Sequence, residues 1–285
     1  SNETSTVTIV FSEAVAEFSN TDITVVNGTL STMSSTDDIT WTGTYTPTPN
    51  VEDSTNVLTL GTSWTDKAGN AYAGSATETA NFTIDTIAPY APYMDKITTP
   101  TKNKTPTITG TGVNGDVIKL YEGFNIIGST TVESSTWSIK SETLGDGSYT
   151  ITANATDPAG NVSAASTSQT VVIDTTSPTI TSTSLDESNS KISVTFSEAV
   201  FNTDGGTGEL EKSDFTLSIS NSGATVAVEP SSISISGNTY TLEYSLSGTA
   251  NTGQVLTVKP SSGSIFDSAG NAASTSQTNN TGTFS

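Results

Sequence analysis

The sequence contains no cysteine, no histidine and no arginine. Without Cys, no disulfide can hold the fold together. Without His or Cys, neither a Ser-His-Asp nor a Cys-His nucleophile can be assembled, and the usual zinc ligands are missing. Nine lysines stand against 29 Asp and Glu, a formal charge of -20. Such a chain has no basic footprint for nucleic acid, and an anionic membrane surface would repel it. What it attracts is cations. Long apolar runs are missing too: nothing resembles a membrane span or a signal peptide, and the expectation is a soluble excerpt or a mature product. No glycine-rich phosphate loop follows a strand and opens a helix, and helical periodicity is absent. A carboxylate pair for glycoside hydrolysis would need a cleft, whereas the acids here fall in loops and junctions. Catalysis is not expected.

What is present is alternation. Hydrophobic residues are only 32% of the chain, and Ser with Thr make up about a third of it, a bias toward pleated surfaces and turns. The apolar residues do not thin out evenly, as they would in a disordered chain. Val7, Ile9 and Phe11 alternate with Thr8 and Val10; Ile192, Val194 and Phe196 alternate with Ser193 and Thr195; Tyr240, Leu242, Tyr244 and Leu246 repeat the pattern. Period two predicts strands with one buried and one wet face.

The chain also repeats itself. Phe11-Ser12-Glu13-Ala14-Val15 returns as Phe196-Ser197-Glu198-Ala199-Val200. In the same order, Asp22-Ile23 answers to Asp214-Phe215, Val57-Leu58-Thr59-Leu60 to Val255-Leu256-Thr257-Val258, and Asp66-Lys67-Ala68-Gly69-Asn70 to Asp267-Ser268-Ala269-Gly270-Asn271. The spacing between copies widens along the chain, as when loops lengthen while strands keep their order. Between the copies lies a different subtype with the same late loop, Asp157-Pro158-Ala159-Gly160-Asn161. Its Tyr149, after the Leu144–Ser148 turn, resembles the tyrosine corner of immunoglobulin-like sandwiches. Two junctions, Ile84-Asp85-Thr86-Ile87-Ala88-Pro89 and Ile173-Asp174-Thr175-Thr176-Ser177-Pro178, each end a short apolar strand in a proline that stiffens the crossover. The expected architecture is all-β: three tandem immunoglobulin-like β-sandwich modules in an elongated array, at residues 1–88, 89–177 and 178–285. The first begins near its second strand. Its strand A is missing or must come from residues 1–6, which suggests a piece of a longer array.

Phe-Ser-Glu-Ala-Val, Asp-x-Ala-Gly-Asn and the closing Asp-Thr-x-x-Pro together resemble the bacterial Ig-like repeats of large surface adhesins, of the biofilm-associated and RTX-extender kinds. The resemblance implies a non-enzymatic extracellular spacer at the bacterial cell surface, with neighbouring Ig-like modules as its immediate partners and Ca²⁺ at module junctions. Glycans or proteins of other cells would be met through other regions of the parent. In a sandwich of this type, the loop after the second strand, the late loop and the incoming linker share one end. That topology predicts convergence of Asp174, Glu198 and Asp267 at the second junction. At the first it predicts Asp85 and Asp157, with Asn114 or Asp116 in the Glu position. Glu13 and Asp66 would form a half-site, and Asp146 could reach the second junction. Carboxylates gathered without an Arg repel one another, and a hard cation wanting six to eight oxygens relieves this. The plainer reading makes each Asp-x-Ala-Gly-Asn an ordinary turn, with Asp bonding its own backbone and Gly at positive φ.

Two other functions compete with a calcium-stiffened spacer. One is a carbohydrate- or ligand-binding module using Trp41, Trp64 or Trp137 as a stacking platform, although a lone Trp in a β-rich chain more often belongs to the core. The other is a metal-free scaffold of the wall or surface layer.

Overall fold

The computed structural model describes residues 3–220 and 223–285. It divides into two compact units: Ser1–Asp95 with Thr109–Ile139 and Thr152–Thr167, and Lys96–Ile108 with Lys140–Ile151 and Ser168–Ser285. Among the described residues the regular elements are β-strands and two single turns of 3-10 helix, Asn20–Asp22 and Lys212–Asp214. No helix among them is long and apolar enough to cross a membrane.

In the first unit, β1 (Ser5–Val10), β2 (Ile23–Thr24), β3 (Gly28–Leu30), β4 (Thr40–Pro47), β5 (Glu52–Asn56), β6 (Thr59–Leu60), β7 (Thr77–Glu78) and β8 (Phe82–Asp85) come in chain order. Antiparallel pairing gives the orders β1-β4-β3, β2-β6-β7 and β8-β5. The period-two pattern is visible in burial: Val7 and Ile9 point inward, whereas Val10 is 68% exposed. Phe11, Val15, Phe18, Ile23 and Met33 form the core beneath β1. Phe11 meets Phe18 and Trp64 edge-on, and Phe18 meets Trp41. The same unit holds a hairpin of β9 (Val117–Glu122) and β10 (Asn125–Thr131).

Of β11 (Gly147–Thr156), residues 147–151 belong to the second unit and pair there with β12 (Gln169–Ile173); then come β13 (Ile180–Leu185), β14 (Lys191–Phe196), β15 (Phe215–Ile219), β16 (Ser232–Ser236), β17 (Thr239–Glu243), β18 (Val255–Pro260) and β19 (Thr281–Thr283). Two facing sets, β13-β14-β17-β16 and β15-β18-β19, enclose one core in which Ile192, Val194, Leu242, Phe215, Leu256 and Val258 have no exposed surface. The expected run from Tyr240 to Leu246 breaks after Glu243. Tyr244 still donates its N–H to the Ser190 carbonyl, but Leu246 belongs to another ladder, opposite Val226.

The repeated Asp22 and Asp214 are buried caps. Each accepts the backbone N–H three residues earlier, of Ser19 and Glu211 respectively, and so closes its 3-10 turn. Tyr149 donates its hydroxyl to the Gly145 carbonyl at 3.0 Å, the bond expected of a tyrosine corner. Tyr149→Phe should therefore cost about 1 kcal/mol in a urea titration, with no change in the slope of the transition.

Candidate metal centre

The three Asp-x-Ala-Gly-Asn loops have one construction. In each, the Asn backbone N–H donates to the Asp Oδ1 at 2.8 Å, and the Asn side-chain amide donates to Oδ2 of the same Asp, at 2.7, 2.9 and 2.8 Å in turn. Gly69, Gly160 and Gly270 sit at φ 86°, 87° and 88°, a region that glycine enters without penalty. The Asp residues at 66, 157 and 267 are therefore turn-formers. Being a turn-former does not exhaust a carboxylate, whose two oxygens carry about four acceptor directions.

The second use of the loop was not anticipated from the sequence. Asn271 Nδ2 also donates to the backbone carbonyl of Asp174 at 2.9 Å, and Asn161 Nδ2 donates to that of Asp85 at 3.1 Å. In both places the last residue of the loop ties down the linker Asp, fixing where its carboxylate starts. The recurrence of Asn at the end of all three loops was the available signal. Asn271→Ala removes this tether and leaves buried partners unsatisfied. A loss of about 1–2 kcal/mol in chemical denaturation is expected.

Asp174, Glu198 and Asp267 do converge. One carboxylate oxygen from each lies within 4.8 Å of the others. Asp267 is fully buried, while Asp174 and Glu198 are half-buried. Burial pushes the Glu198 carboxyl above its ordinary range, and the charges of Asp267 and then Asp174 push it the same way. Asp174 Oδ1 accepts the Thr176 N–H, which holds the carboxylate against its own linker. The ion pairs among the described residues involve Asp38, Asp204, Asp146 and Glu243, none of them in this cluster. Lys102 is committed elsewhere: its Nζ donates to the Gly270 carbonyl at 2.5 Å and to Asp204 at 3.3 Å.

The first junction is looser. Asp116 is buried, and both its burial and the nearby Asp157 charge raise its carboxyl. Asp116 rather than Asn114 therefore stands beside Asp157. The Asn114 Oδ1 accepts the Ser135 N–H at 2.5 Å and is held in its own loop. Among the described residues, no other trio of acidic side chains comes as close as the second-junction cluster. Glu13 and Asp66 line one 240 Å³ cavity with Phe11 and Trp64. Asp146 does something else: its two carboxylate oxygens share the Thr175 hydroxyl, at 2.8 and 3.0 Å, and one of them sits 3.7 Å from the Lys104 Nζ. Those contacts, the Thr175 hydroxyl first, hold its carboxyl below the usual range.

Trp137 is a core residue, and Trp41 and Trp64 pack against the core of the first unit. Trp137 is 3% exposed and donates to the Thr111 carbonyl; Trp64 donates to Gly61 and stacks on Tyr72; Trp41 packs against Phe18. Trp41 and Trp64 are half-buried, each with one side against a neighbouring ring.

Two family models, each described as a bacterial Ig-like domain, match residues 1–84 and 94–175. No curated protein matches the chain. Among solved structures, the fibronectin(III)-like modules of Clostridium thermocellum CbhA are 14% identical over 61% of this chain and 86% of that one, with a TM-score of 0.32. The BSP domain of a biofilm-associated protein is 15% identical over 80% and 47%, at 0.23. Bacteroides ovatus SGBP-B, from a mixed-linkage glucan utilization locus and solved with a mixed-linkage heptasaccharide, is 16% identical over 84% and 62%, at 0.20. The chain thus spans about half of the second structure and less than two thirds of the third. With matched segments covering more than half of its length, in two tandem domains, the chain belongs to the bacterial Ig-like domain proteins.

Proposed function

We propose that this chain is a non-enzymatic spacer of a bacterial surface adhesin, made of three modules (residues 1–88, 89–177 and 178–285) and stiffened by Ca²⁺. The observation that carries the reading is the meeting of Asp174, Glu198 and Asp267, one from a linker and two from loops far apart in sequence. Three carboxylates of which one is fully buried, with no ion pair among the described residues to neutralise them, form a hard-oxygen donor set that suits Ca²⁺. The ion would be held by these three residues, with backbone carbonyls and water completing its shell. Its role is charge neutralisation. The chain's own part is positional: Asn271 fixes the Asp174 backbone, the 267–271 turn fixes Asp267, and Asp146 grips Thr175 in the same linker. The ion therefore adds the last restraint to a linker that hydrogen bonds already hold.

Extracellular modules of this kind work with weak sites, dissociation constants on the order of 10⁻⁴ to 10⁻³ M, because external calcium is abundant. Small-angle scattering of the 285-residue chain in 10 mM CaCl₂ and then in excess EDTA tests the reading. The maximum dimension should fall and the flexible character of the scattering should rise when calcium is removed. An unchanged profile together with an unchanged melting point would remove the metal.

A further inference from the structure

The two copies of the repeat differ in the loop that follows Phe-Ser-Glu-Ala-Val. In the first copy the capping Asp22 stands seven residues after Val15, whereas in the second Asp214 stands fourteen after Val200. The added length is residues 202–208, and its Gly205, Gly206 and Gly208 all take positive φ, at 99°, 75° and 81°. The sandwich does not need this insertion, since both copies close the same 3-10 turn on the same Asp. Its root is nevertheless fixed: Phe201 and Phe266 exchange backbone hydrogen bonds at 2.7 and 2.8 Å.

The insertion folds back over the 267–271 turn. A methyl group at Gly206 would come within 3.0 Å of the Ser268 Cα, and one at Gly270 within 2.0 Å of Asp204 Oδ1. In the first copy the shorter loop leaves the equivalent point at Gly69 clear to 4 Å. Lys102 enters beside this double layer. Its N–H donates to the Ala269 carbonyl at 3.3 Å, and its Nζ to the Gly270 carbonyl at 2.5 Å and Asp204 Oδ2 at 3.3 Å. The segment that carries Lys102 is in turn stitched to the linker. Thr101 donates its N–H to the Val172 carbonyl and accepts the Asp174 N–H, both at 3.0 Å. All these residues belong to the second unit. Lys102 falls in the Ig-like domain matched at residues 94–175, and the insertion lies beyond it.

We propose that residues 202–208 form a lysine clamp, an interaction surface whose partner is a lysine-bearing turn of the Ig-like domain that precedes it in the chain. The Gly270 carbonyl and the Asp204 carboxylate take the ammonium, while the Ala269 carbonyl takes the main-chain N–H, so both charge and position are read. The charged bond to the Gly270 carbonyl is the stronger part. The Asp204 pair is exposed and screened by salt. The clamp thereby selects its partner: a neutral residue in place of Lys102 forfeits the grip, and a carboxylate there is repelled by Asp204. It also acts without any ion. The turn it holds is the one that shapes Asp267, and the segment it holds accepts the Asp174 N–H.

Hydrogen exchange of the full 285-residue chain in EDTA tests the clamp apart from calcium. Lys102→Met keeps most of the aliphatic stem and removes the charge. It should speed exchange about tenfold at the amides of residues 101, 102 and 174, whose acceptors are the Val172, Ala269 and Thr101 carbonyls, and leave β14 and β18 unchanged. Asp204→Asn should speed the same amides about two- to threefold, and the parent protein in about 1 M NaCl should match it. Combining Asp204→Asn with Lys102→Met should add nothing to Lys102→Met alone, because both remove one contact. Unchanged exchange in Lys102→Met, additive effects of the two substitutions, or an equal loss of protection in β14 would each overturn the proposal.

Discussion

Glu198→Gln should change the stability of the second unit in opposite directions according to the metal. In EDTA the substitution is expected to stabilise by up to about 1 kcal/mol, because it replaces a half-buried charge facing two others. In 10 mM calcium it is expected to destabilise. Over the weak dissociation constants given above, binding contributes about 1.4–2.7 kcal/mol to the parent protein, and loss of one of three carboxylates removes most of that. Burial and like charges raise the folded-state value of Glu198 above 4.5, so between 4.5 and that raised value the folded state binds more protons than the unfolded one. Stability without metal therefore falls as pH rises through this window and is lowest near neutrality, and Gln at 198 abolishes the slope. With calcium the slope reverses, since the ion needs the deprotonated carboxylates. Asp146 acts in a separate window. Its folded value is depressed, so its contribution is present above about 3.9 and is lost on further acidification. Calorimetry at pH 5 and pH 7, with EDTA or calcium, reads all four conditions. A Glu198→Gln effect of the same sign in both buffers would rule out a shared ion.

Much of this could be read from the chain because the repeat preserved both pattern and punctuation. Phe-Ser-Glu-Ala-Val marks the exit from β1 and from β14, and the alternation before it sets which side chains turn inward. Convergence of residues 174, 198 and 267 followed from sandwich topology, since a linker and two loops share one end of a sheet pair. What escaped the reading depends on side-chain hydrogen bonding, which has no periodicity. Nothing in spacing alone says that Asn271 reaches the Asp174 carbonyl, that Asp146 is occupied by Thr175, or that Asn114 is held by Ser135. The break after Glu243 was hidden for a related reason. Tyr244 and Leu246 keep the alternation while the backbone changes its pairing partner. A strand was read where the chain only kept its inward faces.

The largest stability effects should separate the two copies at equivalent positions. Ile192→Ala empties a site with no exposed surface, between Leu242 on β17 and Leu185 on β13. A loss of about 2–5 kcal/mol is expected, transfer and cavity terms together. Val7→Ala, at the corresponding place in β1, should cost only about 1 kcal/mol, since a half-buried side chain surrenders less area. The three tryptophans all lie in the first unit, so their fluorescence reports Val7→Ala during urea unfolding. Circular dichroism follows Ile192→Ala. Equal losses would mean that Val7 is as deeply buried in solution as Ile192, and that the two copies match in packing as well as in pattern. A large gap follows from burial alone: Ile192 lies under Leu185 of β13 and Leu242 of β17, whereas Val7 is half-buried, so the same truncation empties a closed site in one copy and trims a partly wetted one in the other.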